Sequence, residues 1–321
     1  MLTTIIFGII YLDINGSVGD IMLIEKNELW ENNNKVTLTS YLLDYTDEIG
    51  IQKRPSIIIC PGGGYLFASD REAEPIAMKF AGEGYNTFVL RYNVYNEEGQ
   101  NSNNTSKVNK ETKYPNPLFD LAKAMLVVRK NAEKWSVDKD KIFVCGFSAG
   151  GHLAASLGVH WQDRLLREKF NVDNEIFKPN GLILGYPVLD YLTMMEVVNE
   201  KDDEWLIDFW KTSNNALFGE KNPSVNYLGE LSPVKFVTDK TPPTFLWHTA
   251  SDGLVTARNS LNFAAELSKK GVPYELHIFE KGDHGLALCD KVTAKYDCQI
   301  NLEVKSWFDM ALTWLKNIHF S

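Results

Sequence analysis

The chain has 321 residues, 44% of them hydrophobic and 23% charged, which suits one large α/β domain or two smaller ones. A net charge of −9 without a basic tract argues against nucleic acid as a partner, because nothing in the chain would neutralise phosphates. Cys60, Cys145, Cys289 and Cys298 are too scattered for a disulfide framework, and Cys289 and Cys298 lack the short paired spacing of a zinc site, so neither metal nor cofactor is expected.

Ile5 to Leu12 is apolar, but no Lys or Arg precedes it and Asp13 ends it. It lacks the charged start of a signal peptide and the length of a membrane span. Residues 1–24 therefore read as an extension, either an extra strand or poorly packed, with a degenerate export signal as the alternative. The expectation is a cytoplasmic protein with no membrane partner. Residues 25–321 read as a single domain.

After residue 35, strand-like and helix-like segments alternate, the pattern of an α/β sheet. Val36 to Leu43 alternates and reads as an exposed early strand, Pro55 to Cys60 as a buried one. Glu72 to Glu83 is an amphipathic helix closed by Gly84, and Asn86 to Arg91 the next strand. Residues 94–114, rich in Asn, Lys and Glu, read as a mobile surface loop. Pro117 to Trp135 carries Leu118, Leu121, Ala122, Met125, Val128 and Ala132 on one stripe, a core-facing helix. Strands follow at Lys141 to Cys145, Gly181 to Tyr186, Thr244 to Thr249 and Tyr274 to Phe279, with helices at Ser260 to Lys270 and Glu303 to Ile318. Residues 190–231 interrupt this rhythm between two strands, with Met194, Met195, Trp205, Trp210 and Phe218 among acidic stretches, and read as an inserted cap over the strand ends.

Gly146-Phe147-Ser148-Ala149-Gly150 lies between a β-branched run and a segment with Leu153, Ala154 and Leu157 at helical spacing. A serine in a sharp strand-to-helix turn between glycines is a nucleophile elbow. Such a hydroxyl needs a base, and the base needs a carboxylate to orient it. His284, in the loop Gly282-Asp283-His284-Gly285 after the last strand, is the best candidate for the base, and His248 is the rival. Asp252, after the Thr244 to Thr249 strand, is the preferred carboxylate, with Asp190 and Asp283 as alternatives. The order Ser148, Asp252, His284 is that of α/β-hydrolases. Gly62, Gly63 and Gly64 after the Pro55 to Cys60 strand let amides approach a substrate oxygen, so Gly63 or Gly64, with Ala149, are assigned as oxyanion donors. Tyr65, Trp205 and Trp210 are candidates for substrate contact, the tryptophans as stacking platforms for sugar rings against packing within the cap.

Taken together, Pro61 to Tyr65, Arg71 to Pro75, Gly146 to Ser156, Pro242 to Thr249, His277 to Glu280 and His284 to Leu286 make the chain resemble a known family. It resembles the esterase/lipase α/β-hydrolases of the hormone-sensitive-lipase type, in the bacterial group called xylanase-B-like or acetyl-xylan-esterase-like. The resemblance covers about residues 25–318 and implies an α/β-hydrolase fold with a mostly parallel sheet, helices on both faces and a small cap. It also implies Ser148 as nucleophile, Asp252 as acid and His284 as base. Pro61 stands where the lipase-type loop begins with histidine, removing a side chain that orients the loop. Thr256 stands where proline is common, which should loosen the turn behind Asp252.

The expected activity is carboxylic-ester hydrolysis through an acyl-enzyme, on a small-molecule ester with short acyl groups, acetylated sugars included. The alternatives are an arylformamidase or peptidase-type amide hydrolase, and a hydrolase-like module that binds carbohydrate or a partner without turnover. A glycosidase needs a flanking carboxylate pair, which nothing in the chain indicates. Oligomeric state is open, a homodimer included.

Overall fold

Short apolar runs separated by amphipathic segments can bury their side chains only by pairing into a sheet covered by helices. The computed structural model describes residues 5–7, 22–43, 50–51, 53–96 and 109–318. In chain order these form β1 (Ile5–Phe7), β2 (Met22–Trp30), β3 (Asn33–Leu43), β4 (Arg54–Cys60), α1 (Glu74–Ala81), β5 (Asn86–Arg91), α2 (Asn116–Lys130), β6 (Val137–Phe147) and α3 (Ala149–His160). The chain continues with α4 (Arg164–Phe170), β7 (Gly181–Gly185), α5 (Tyr191–Lys201), α6 (Glu204–Phe218), α7 (Val225–Glu230), β8 (Thr244–Thr249), α8 (Arg258–Lys269), β9 (Tyr274–Phe279) and α9 (Trp307–Asn317).

The described strands form one sheet in the order β1-β2-β3-β5-β4-β6-β7-β8-β9. Pairing is antiparallel from β1 to β5 and parallel from there to β9. Alternate residues of β4 enter opposite cores. Ile58 joins Met125, Leu153 and Phe263 of α2, α3 and α8, whereas Ile57 and Ile59 join Phe80 of α1 and Trp307 and Leu315 of α9. Helices thus cover both faces, as the alternation of segments predicts. The chain leaves β4 toward β5 and leaves β6 toward β7, so the strand order reverses between β4 and β6. At such a switch point the loops diverge and open a crevice at the carboxyl ends of the strands. Residues Pro61–Gly64 and Ser148 lie there.

Two expectations need correction. The Val36 to Leu43 strand is not exposed: Val36 and Leu38 are fully buried in the core cluster that α2 and α3 share, and β2 pairs along the outer edge of the strand. The sequence hid β2 behind its charged residues, yet Glu25 is buried and accepts hydrogen bonds from Lys134 and Trp135. Helix α2 stops at Lys130 rather than Trp135, where Asn131 turns its side-chain amide back onto the Val127 carbonyl. Ile5–Phe7 pairs with β2, whereas the rest of the 1–21 stretch and positions 97–108 of the Asn-rich segment lie outside the described residues. Among the described residues no helix is long and apolar enough to cross a membrane.

Candidate active site

The elbow is built by close approach. A Cβ on Gly146 would overlap the Gly150 carbonyl oxygen, and one on Gly150 would overlap the Cys60 carbonyl oxygen, so only glycine fits at both positions. Between them Ser148 adopts φ 52° and ψ −118°, a strained conformation that lifts its hydroxyl off the end of β6. His284 Nε2 lies 2.8 Å from Ser148 Oγ, and His284 Nδ1 lies 2.7 Å from Asp252 Oδ2. Three side chains far apart in sequence therefore form one hydrogen-bonded chain. The partners fix the tautomer: Nδ1–H donates to the carboxylate and Nε2 accepts from the hydroxyl.

Asp252 is held from several directions. Its Oδ1 accepts the Leu254 and Val255 amides, each at 2.9 Å. Its Oδ2 also lies 3.3 Å from His248 Nε2. Burial alone would raise this carboxyl, but the His284 charge and hydrogen bonds from His248 and His284 hold it well below the usual carboxylate range. His248, the rival base, is fully buried and bonded to Ser260 Oγ and the Val255 carbonyl, so it braces Asp252 and does not reach Ser148. The alternative carboxylates lie elsewhere: Asp190 caps α5 through the Leu192 and Thr193 amides, and Asp283 is exposed. Burial pulls the His284 ring down, but the Asp252 charge and hydrogen bond, with a contribution from Glu72, outweigh it and leave the ring above its ordinary value.

Gly63 and Gly64 have φ of 126° and 63°. Among the described residues the amides of Gly63, Gly64 and Ala149 donate no hydrogen bond, whereas the Gly62 amide is taken by Glu72 Oε2 at 2.8 Å. The orientation that Pro61 cannot supply comes from other groups. Tyr92 donates its hydroxyl to the Pro61 carbonyl at 2.6 Å, and Ser213 of α6 donates to the Gly64 carbonyl at 2.9 Å. Thr256, in place of proline, accepts the Asn259 amide on its carbonyl and so begins α8.

The aromatic candidates divide. Tyr65 is 1% exposed and its hydroxyl lies 2.6 Å from His152 Nδ1, so its ring is closed into the core and offers a substrate no face. Trp210 is also buried, packed edge-on to Tyr191 and Phe209. It lines a cavity of about 220 Å³ with Met194, Met195 and Ile207, and no triad residue lines that cavity. Trp205 is 67% exposed and stacks on Phe209 with centroids 5.6 Å apart. Phe209, which sequence reasoning missed, comes within 3.0 Å of where a Cβ on Gly64 would stand. Its position one helical turn after Trp205 was the only available signal.

Comparison with known proteins identifies the family. Residues 44–267 match the BD-FAE family model. The chain is 32% identical over 270 residues to an endo-1,4-beta-xylanase B of Butyrivibrio fibrisolvens, covering 83% of this chain and 38% of that protein. It is 25% identical over 256 residues to an acetylxylan esterase of Xylanibacter ruminicola, covering 78% of this chain and 45% of that protein. The chain thus spans less than half the length of either curated relative. Among solved structures, an acetyl ester-xyloside bifunctional hydrolase from Caldicellulosiruptor lactoaceticus is 35% identical with a TM-score of 0.69, over 91% of this chain and 95% of that one. A carboxylesterase from Lactobacillus plantarum is 28% identical with a TM-score of 0.72, over 92% of this chain and 98% of that one. The matched residues and the shared architecture together establish that the chain belongs to the BD-FAE family of α/β hydrolases.

Proposed function

We propose that the chain is a serine carboxylic-ester hydrolase acting through an acyl-enzyme on short-chain esters, acetyl esters of xylose-type sugars among them. The hydrogen-bonded chain from Asp252 through His284 to Ser148 carries this reading. Ser148 Oγ attacks the acyl carbonyl as His284 Nε2 takes its proton, and the imidazolium formed is stabilised by Asp252. The carbonyl oxygen becomes an oxyanion facing the amides of Ala149 and of Gly63 or Gly64. Collapse expels the alcohol, which leaves with the proton from His284. Water, deprotonated by the same ring, then attacks the acyl-serine and releases the acid.

Helices α5 to α7, inserted between β7 and β8, act in this reading as a cap, and the Trp205–Phe209 stack is its face toward the glycine loop. The names of the acetylxylan esterase and the acetyl ester-xyloside hydrolase support an acetylated sugar as substrate. The second of those names also brings a xyloside into the test. Wild type and Ser148→Ala should be assayed together on acetylated xylo-oligosaccharides, longer acyl esters, arylformamides and a nitrophenyl xyloside. The expected outcome is turnover by wild type that is greatest on acetyl esters and abolished in the variant. Turnover confined to the formamides or the xyloside, or undiminished in Ser148→Ala, would remove the proposal.

A further inference from the structure

Arg71 to Pro75 is a segment to which the triad assigns no role. Glu72 ends a short turn, Asp70–Glu72, and is 4% exposed. Its Oε2 accepts the Gly62 amide at 2.8 Å and its Oε1 accepts the Tyr186 hydroxyl at 2.7 Å. The Tyr186 oxygen in turn accepts the Ala287 amide at 3.0 Å, and the Tyr186 ring lies edge-on to His284 with centroids 4.9 Å apart. Gly62 is itself pressed against the nucleophile, since a Cβ there would lie 2.9 Å from Ser148 Cβ. One carboxylate thus joins the loop after β4 to the residue after β7, and through it to the loop that carries His284.

Both Glu72 oxygens accept hydrogen bonds, the pattern of a carboxylate. Among the described residues no Lys, Arg or His forms an ion pair with it. Burying a charge without a counter-ion is costly, and apolar packing would serve the fold better. The arrangement makes sense where the charge is used. Attack by Ser148 turns neutral His284 into a cation, and a fixed negative group nearby favours that change without reorganising.

We propose that Glu72 is a positioning residue for the reaction. It sets the separation between the oxyanion loop and His284 and supplies fixed charge that favours the imidazolium. The inference rests on Ser148 being the nucleophile. The groups facing His284 are the Ser148 hydroxyl, the Asp252 carboxylate with His248 behind it, the Tyr186 ring and Glu72. Arg71 approaches Gly285, the residue after His284, and Asp283, the residue before it, is exposed.

Two variants separate geometry from charge. Glu72→Gln keeps the shape but loses the charge and one of the two acceptor contacts. Tyr186→Phe keeps the charge and cuts the tether to Ala287. Both should be compared with wild type for kcat and KM on a short acyl ester across pH, for thermal midpoint, and for fluorophosphonate labelling of Ser148. In Glu72→Gln, kcat should fall about 10- to 100-fold, as displacement of reacting groups does, and the acid limb of the kcat/KM profile should move to lower pH. KM should change less than about threefold. Tyr186→Phe should lose kcat with its acid limb unmoved. Unchanged kcat in Glu72→Gln, a fall in kcat with the acid limb where wild type has it, or wild-type kcat in folded Tyr186→Phe would each overturn the proposal. Should Glu72→Gln not fold, Tyr186→Phe alone decides. Indifferent variants of an enzyme still labelled at Ser148 sink only this inference, whereas a wild type that resists labelling sinks the serine mechanism itself.

Discussion

An imidazole held between a serine hydroxyl and a buried carboxylate titrates differently from one in water. His284 lies above its ordinary value near 6.5 despite its burial, because Asp252 favours the cation. The protonated ring cannot accept the Ser148 proton, so kcat/KM should fall on acidification through one ionisation above pH 6.5. A pH–rate profile on a neutral ester checks this, and a flat profile down to pH 5 would contradict it. Asp252→Asn should leave the fold intact and cost on the order of 10⁴ in kcat, because the ring loses the group that selects its tautomer. Ser148, Asp252 and His284 were legible as candidates because each sits in a turn just after a strand, and their order along the chain is that of α/β-hydrolases. Glu72, Tyr186 and the bracing role of His248 were not. A glutamate one turn before a helix looks like any first-turn acid, and its role depends on a hydroxyl 114 positions away. Tyr65 misled for the opposite reason: it follows the glycine loop, but its left-handed backbone, φ 58°, and its bond to His152 turn the ring inward.

At the scale of elements, the site depends on how closely helix α3 can approach the loop after β4. Gly150→Ala would drive a methyl into the Cys60 and Pro61 carbonyls, which cannot move without shifting β4. The expected result is a loss of about 3 kcal/mol or more in unfolding free energy, together with lost esterase activity. Denaturant unfolding measures the first, and a variant as stable as wild type would mean that the elbow is looser than described. The parallel strands β4 to β8 were readable as continuous apolar runs, because strands buried on both faces carry little else. Strand β3 was read in part, but its hairpin partner β2 was not, since Glu25, Lys26 and Glu28 break the run and the burial of Glu25 is supplied by Lys134 and Trp135 from a distant turn. The insertion of α5 to α7 could be located between strands, but its packing could not. Trp210 belongs to its interior and Phe209 to its lower face, a distinction of one residue that depends on the helix's rotation.

For the whole molecule, the elbow helix is pinned to both the glycine loop and the insertion by His152, which bonds Tyr65 and the Leu231 carbonyl. Burial lowers this ring from 6.5 to about 4. Below pH 6.5 the unfolded chain takes up the proton first, so this contribution is complete above 6.5 and is lost as the pH falls toward 4. It amounts to about 3 kcal/mol over that window. His284, shifted the other way, contributes stability below 6.5 that is lost as pH rises through its folded value, so the test is a difference between proteins. The unfolding free energy of His152→Gln should decline less steeply between pH 6.5 and 4 than that of wild type, and parallel curves would contradict the assignment. Trapping the acyl-enzyme tests the serine mechanism itself. Wild type quenched in acid during turnover of p-nitrophenyl acetate should carry an acetyl group on the peptide containing Ser148, and Ser148→Ala should carry none and turn nothing over. An unmodified Ser148 peptide in a protein that still hydrolyses the ester, with the alanine variant as fast as wild type, would contradict it.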